Sequence, residues 1–191
     1  MEPSAARNGR VVSVFGGSRA AEDSPDYQDA YLLGGLLAGA GYTLCNGGYH
    51  GTMAAAARGA KNAGGRTIGI TVELLARLTP NPWIDEEVAT ATLFARLERL
   101  ATLGDAYVAL RGGIGTLLEV ALVWNLGQLQ GEPQRPIVTV APGWRSVLRA
   151  LPRYLAVRPE DLGMIVMASS PRAAVRYLNR YFAEATTPAG S

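Results

Sequence analysis

Residues 111–119 read Arg-Gly-Gly-Ile-Gly-Thr-Leu-Leu-Glu and follow the apolar run Ala106-Tyr107-Val108-Ala109-Leu110. The pattern is that of a strand running into glycines, then a threonine, then a helix that carries an acid. Gly112, Gly113 and Gly115 let a backbone approach a ligand closely. Thr116 is placed to cap the helix and to hydrogen-bond a phosphate. The helix N-terminus, with Ile114 inside the loop, offers unpaired N–H groups and the positive end of a dipole to an anion. Glu119 lies one turn further in. A carboxylate beside a phosphate cradle repels the phosphate unless it acts on another part of the same molecule. That points to a nucleotide-like ligand, with its phosphate on the N–H groups and its sugar by the carboxylate.

A second glycine loop, Asn46-Gly47-Gly48-Tyr49-His50-Gly51-Thr52-Met53, also opens a helix and makes Gly47, Gly48, Gly51 and Thr52 candidate binding residues. Gly17 and Ser18, in Gly16-Gly17-Ser18, are placed to hold a phosphate or a base through N–H groups and the hydroxyl. His50 is the only histidine. It could touch the ligand or serve as a general acid, although a lone loop histidine more often does neither. Arg96 and Arg99 stand three apart and would point roughly the same way from one helix. A solvated basic face is the plainer reading of such a pair. Trp83, Trp124 and Tyr107 read as core or interface residues, and Cys45 as a small core residue.

Several chemistries are disfavoured. With one histidine and no clustered acids, no metal site is expected. Without a G-x-S-x-G element there is no Ser-His-Asp set to argue for. Neither G-x-G-x-x-G nor G-x-x-x-x-G-K-[ST] occurs, which argues against dinucleotide binding and ATP hydrolysis and favours a mononucleotide. Pyridoxal chemistry needs a Schiff-base lysine. Lys61, the only lysine, sits near the end of an expected helix, away from any strand C-terminus.

The elements that must position these residues alternate throughout. Strands are expected at Val11–Phe15, Tyr42–Cys45, Thr67–Thr71, Ala106–Leu110, Pro136–Val140 and Met164–Ala168. Helices are expected at Asp26–Ala40, Thr52–Asn62, Glu87–Leu103, Thr116–Leu129, Trp144–Leu155 and Pro171–Ala185. The tract Glu73–Asp85, with Pro80, Pro82 and Trp83, reads as an irregular connection or lid. Such alternation implies an α/β fold, a doubly wound, mostly parallel, Rossmann-like sheet in a single domain. Ligands of such sheets bind beyond the strand C-termini, where strand order reverses. All three glycine clusters stand at strand C-termini and should converge on one crevice.

The chain has 191 residues, 48% of them apolar, enough for the core of one domain. Residues 11–185 read as that nucleotide-binding domain, with residues 1–10 and 186–191 as flexible tails. A net charge of +2 is too small to argue for nucleic acid or an anionic membrane as a partner. No run reaches the ~18 apolar residues of a membrane span, and the N-terminus lacks the apolar stretch of a signal peptide. One cysteine permits no internal disulfide and fits a reducing, cytoplasmic setting.

Gly112-Gly113-Ile114-Gly115-Thr116-Leu117-Leu118-Glu119 resembles the P-G-G-x-G-T-x-x-E signature of the Lonely Guy family, the cytokinin riboside 5′-monophosphate phosphoribohydrolases, often mislabelled lysine decarboxylases. Gly47-Gly48-Tyr49-His50-Gly51-Thr52-Met53 is similar to that family's G-G-G-x-x-G-x-M. Val14-Phe15-Gly16-Gly17-Ser18 resembles its opening strand and loop, and Ala63–Ile70 its third-strand entry. Arg96, nine residues before Asp105, falls where the family has its catalytic arginine. The likeness runs from about Val11 to Tyr181.

The resemblance implies cleavage of the N-glycosidic bond of a nucleoside 5′-monophosphate, of the AMP or N6-modified AMP class, to free base and ribose 5-phosphate, the reaction of cytokinin activation. Arg96 and Glu119 would be catalytic, with Arg96 lowering the Glu119 pKa and keeping it ionised. The glycine loop and Thr116 would fix the phosphate, and the base would sit among the first two glycine loops. The resemblance implies no cofactor and a homodimer or higher homo-oligomer. The alternative is a nucleotide-binding sensor or carrier of the same superfamily, without hydrolysis. The sequence departs from the family pattern at Arg111, in place of proline, at Asn46, in place of glycine, and at Leu118, in place of an acid. Phe94 and Leu97 stand where a histidine and a lysine flank the arginine.

Overall fold

The computed structural model describes residues 9–75, 77–130 and 135–186, so the expected tails lie largely outside the described residues. Its strands are β1 (Val11–Phe15), β2 (Thr43–Asn46), β3 (Thr67–Val72), β4 (Glu86–Thr90), β5 (Ala106–Ala109), β6 (Ile137–Val140) and β7 (Ile165–Ala168). They form one sheet in the order β4-β3-β2-β1-β5-β6-β7, and every pairing is parallel. The helices are α1 (Pro25–Gly39), α2 (Thr52–Asn62), α3 (Leu93–Leu103), α4 (Ile114–Gln130), α5 (Pro142–Tyr154), α6 (Pro159–Gly163) and α7 (Pro171–Thr186). Side chains of α1, α2 and α7 cover one face of the sheet; those of α3, α4, α5 and α6 cover the other. The chain is thus an α/β, doubly wound, Rossmann-like fold. Among the described residues no helix is long and apolar enough to cross a membrane.

One expected element is corrected. Residues 87–103 are not one helix: they hold most of the edge strand β4, a short link and then α3. Two glutamates disguise the strand. Among the described residues β4 pairs only with β3, so Glu86 and Glu87 remain exposed at the sheet edge, where a polar face costs little. Glu86 is ion-paired with Arg66 and Glu87 accepts a hydrogen bond from Thr71 Oγ1 at 2.6 Å. The helix begins where Thr92 Oγ1 accepts the Ala95 N–H, 3.1 Å. The sheet therefore has seven strands where six were expected, and α6 is an addition.

The alanines of α2 also have a structural reason. At Gly34 of α1 and Gly59 of α2, an added methyl would collide with the Ala56 and Tyr31 carbonyls, so the two helix backbones nearly touch. Small residues permit that approach. The tight α1–α2 pair fixes one wall above β1 and β2.

The feature that matters for function is the reversal of strand order at β1. Its neighbours are β2 on one side and β5 on the other. The chain leaving β1 passes to α1 on one face of the sheet and the chain leaving β5 to α4 on the other, so a crevice opens between them at the strand C-termini.

Candidate active site

Gly17 stitches the crevice together. Its N–H donates to the Arg111 carbonyl (3.2 Å) in the loop after β5, and its carbonyl accepts from the Thr52 N–H (2.9 Å) and hydroxyl (3.1 Å) at the start of α2. A methyl on Gly16 would run into Thr52 Oγ1, and one on Gly51 into the Gly17 and Ser18 backbone. Gly51 also holds φ +64°, a backbone state that favours glycine.

An open cleft of about 760 Å³ results. Gly17, Ser18, Thr52, Gly112, Gly113, Ile114, Gly115, Thr116, Arg96 and Glu119 all line it. Gly47, Gly48 and Gly51 do not; they support it from beneath. An added methyl at Gly47 would strike the Arg96 guanidinium, and one at Gly48 would crowd Thr71 and Gly69. The second glycine loop thus makes room for an arginine. Asn46, fully buried, braces this loop by donating to the Met53 carbonyl (2.9 Å) and accepting the Gly48 N–H (2.8 Å). His50 is exposed and absent from the cleft lining.

The phosphate-loop candidate begins α4 two residues earlier than expected, at Ile114 rather than Thr116. The Leu117 N–H bonds to the Gly113 carbonyl at 3.1 Å, so Gly113 occupies the cap position and Thr116 lies inside the first turn. Thr116 is buried and packs where a side chain at Gly112 would be. Among the described residues nothing stands within 4 Å of an added methyl at Gly113 or Gly115, so open space borders the loop at both glycines.

Arg96 and Glu119 face one another at the inner wall, Nη1 to Oε1 3.7 Å apart, both about nine-tenths buried. Arg96 is held by the Ile70 carbonyl (Nε, 2.8 Å), more loosely by the Gly47 carbonyl (3.4 Å), and lies 5.8 Å from the Tyr49 ring centre. The Tyr49 hydroxyl accepts the Val72 N–H at 3.0 Å. Arg99 is exposed. The buried arc of α3 runs through Arg96, Leu97, Leu100 and Ala101, and Arg99 falls past its edge; the two arginines do not act as a pair.

Burial pushes the Glu119 carboxyl up to about 7, and the nearby Arg96 only partly opposes it. Arg96 does act to lower the Glu119 pKa, as expected, but the cost of desolvation exceeds the attraction of a cation 3.7 Å away, so the net shift is upward and the carboxyl is not held firmly ionised. Glu119 is therefore available near neutrality both as a carboxylate and as a proton donor.

Residues the sequence did not single out complete the wall. Tyr49, Met53, Leu75 and Leu78 line the cleft, the leucines from the tract read as a connection or lid. Asn81, buried, ties that tract to the second glycine loop by donating to the Gly48 (3.0 Å) and Tyr49 (2.8 Å) carbonyls. Asp26 also lines the cleft. Pro80 and Pro82 around Asn81 were the available signal. Among the described residues no group of three or more His, Cys, Asp or Glu side chains could hold a metal.

The SLOG cluster4 family model matches residues 9–141. A protein of Mycobacterium tuberculosis named cytokinin riboside 5′-monophosphate phosphoribohydrolase is 34% identical over 151 residues, 75% of this chain and 80% of its own. Among solved structures, the molybdenum cofactor binding protein of Rippkaea orientalis aligns with a TM-score of 0.73 at 28% identity, over 91% of this chain and 97% of its own. The molybdenum cofactor carrier protein of Chlamydomonas reinhardtii aligns with a TM-score of 0.72 at 27% identity, over 91% and 98%.

The raised Glu119 carboxyl carries a stability prediction. Its proton is held more tightly in the folded chain than in the unfolded one, whose value is near 4.5. The stabilisation is therefore complete below about pH 4.5 and is lost as pH rises through about 7. Melting temperatures of wild type and Glu119→Gln, followed from pH 5 to pH 8, should shift relative to one another in favour of the variant as pH rises. A constant difference would contradict this.

Proposed function

The chain belongs to the SLOG cluster4 family and is a relative of the Lonely Guy phosphoribohydrolases, and we propose that it hydrolyses the N-glycosidic bond of a nucleoside 5′-monophosphate, of the AMP or N6-modified AMP class. The observation that carries this reading is the buried Arg96–Glu119 pair, set in the same cleft as the open glycine loop at the start of α4. A phosphate on the N–H groups of Gly112–Thr116 spends binding energy far from the reacting bond and positions the sugar. Gly17, Ser18 and Thr52, at the head of the first two loops, line the remaining space where a base fits.

Breaking the bond between ribose C1′ and the base nitrogen leaves the electron pair on the nitrogen and positive charge on the sugar. Glu119 as carboxylate stabilises that charge or takes a proton from the attacking water, whose oxygen bonds to C1′. The base nitrogen ends protonated, so water is divided between ribose 5-phosphate and free base. Arg96 orients Glu119 and keeps its charged form within reach at neutral pH. No cofactor is required for these steps. A cytoplasmic setting accords with Cys45, a buried thiol whose pKa burial pushes up to about 12.

The working unit is a homodimer. Ile114, Leu118, Ala121, Asn125 and Gln128 are all exposed and follow the 4-3 spacing of a helix–helix seam. Glu119 is the only charged residue of α4, and it points inward. Phe94 and Ile114 protrude, each 83% exposed, beside a groove between α3 and α4 lined by Leu93, Leu97, Leu117 and Leu118. Knob and groove on one face make that face self-complementary, as a two-fold contact requires. The groove also reaches Arg96 and Glu119, so a second copy would shield the pair from water.

A second reading, a carrier that binds without turnover, is favoured by the two molybdenum cofactor proteins among the structural relatives. Purified protein incubated with AMP, GMP, CMP, UMP and N6-isopentenyl-AMP, with chromatography of free base and ribose 5-phosphate, separates the two. Hydrolysis should appear with the adenine nucleotides and fall by about 10²–10⁴-fold in Glu119→Gln. Binding with no release from any substrate would establish the carrier. Light scattering on the eluting protein should give twice the 20.1 kDa chain mass, and Leu118→Glu should give the single chain. A monomeric wild type would overturn the interface.

A further inference from the structure

Arg111 and Asp26 face one another across the mouth of the cleft. Arg111 is pinned in its backbone: the Leu110 N–H bonds to the Phe15 carbonyl (2.9 Å), and the Arg111 carbonyl accepts the Gly17 N–H (3.2 Å). Its side chain therefore leaves from the point where strand order reverses. Asp26 belongs to the first turn of α1, whose start is fixed by Ser24 Oγ accepting the Tyr27 N–H at 3.2 Å. Both residues line the cleft beside Gly112–Thr116.

The Arg111–Asp26 ion pair is loose. Nη1 and Oδ2 are 3.5 Å apart, and the arginine side chain is 74% exposed. A solvated pair of this kind contributes little to stability. The guanidinium can leave its carboxylate at little cost, and the open space it would enter lies over the glycine loop. A phosphate offers more charge than a carboxylate and the same two-pronged geometry.

We propose that Arg111 is a phosphate latch: Asp26 parks it in the empty cleft, and an incoming phosphate monoester draws it across to close over the glycine loop from the solvent side. The inference rests on the mononucleotide reading and deepens it. Asp26 then acts as a specificity device. It competes for Arg111 with any ligand group that carries no more charge than itself, so a nucleoside or a carboxylate does not close the latch. The exposed arginine, which the family pattern replaces with proline, becomes the residue that recognises the phosphate.

Titration calorimetry with AMP, and separately with inorganic phosphate, on wild type, Arg111→Ala, Asp26→Asn and the double variant tests this. Arg111→Ala should weaken AMP by about tenfold, the scale of one lost charge-assisted contact. Asp26→Asn should tighten both probes about threefold or more, and that gain should vanish in the Arg111→Ala background. Arg111→Lys, which keeps the charge but not the fork, should fall between wild type and Arg111→Ala. The latch is overturned if Asp26→Asn tightens binding equally with and without Arg111, or if Arg111→Ala binds as wild type does. Should the cycle behave as described while no base is released, the latch stands and hydrolysis alone is lost. Should wild type bind neither probe, the latch and the mononucleotide reading fall together.

Discussion

Taking a carboxylate and a guanidinium out of water together is costly, and most of the structure around the cleft is organised to make that tolerable. A buried ion pair offsets its own desolvation only when further partners satisfy the remaining donors and acceptors. Arg96 finds them in the Ile70 and Gly47 carbonyls and the face of Tyr49. Among the described residues, the partner found for Glu119 is the guanidinium, at 3.7 Å. The imbalance leaves the carboxyl near 7 rather than firmly ionised. A group in that position costs stability and gains reactivity, the exchange expected at a functional site.

Each part of the fold can be read as a support for that pair. Within β3, Ile70 presents a carbonyl to Arg96. The second glycine loop has no side chain at Gly47 because the guanidinium occupies that space. Asn46 and Asn81 hold the loop from two sides, so the room made for Arg96 does not collapse. α4 starts at the mouth of the cleft, which leaves its first N–H groups to a ligand, and delivers Glu119 one turn deeper. Reversal of strand order at β1 brings the two limbs together, and Gly17 bonds to both.

The glycine clusters and Glu119 can be placed at one crevice from sequence because spacing in the chain becomes proximity at a strand end; Arg96 enters only through the family resemblance, since its helix pattern alone reads as a solvated basic face. The doubly wound sheet was legible from alternation of apolar runs and helical patterns. What escaped had non-local causes. β4 is hidden in a helical pattern because an edge strand needs no apolar face, and Glu86 and Glu87 find partners in Arg66 and Thr71. Gly47 and Gly48 read as ligand contacts because a glycine that clears space for a ligand and one that clears space for an arginine look alike in sequence. Arg99 shared a helix with Arg96, yet sixty degrees of helical turn put it outside the buried arc. Sequence names the cation beside Glu119 but not the depth of burial that outweighs it. Asp26 became visible only when α1 brought it to Arg111.

The most direct measurement on the central pair is the titration of the Glu119 carboxyl itself. Carbon-13 NMR of glutamate-labelled protein, with the Glu119→Gln spectrum to assign the signal, follows it group by group. A buried carboxyl opposed only in part by Arg96 should show a midpoint of about 7. A midpoint at or below 4.5 would mean that Arg96 or water controls this carboxyl, and it would contradict the buried, poised acid on which the proposed chemistry depends.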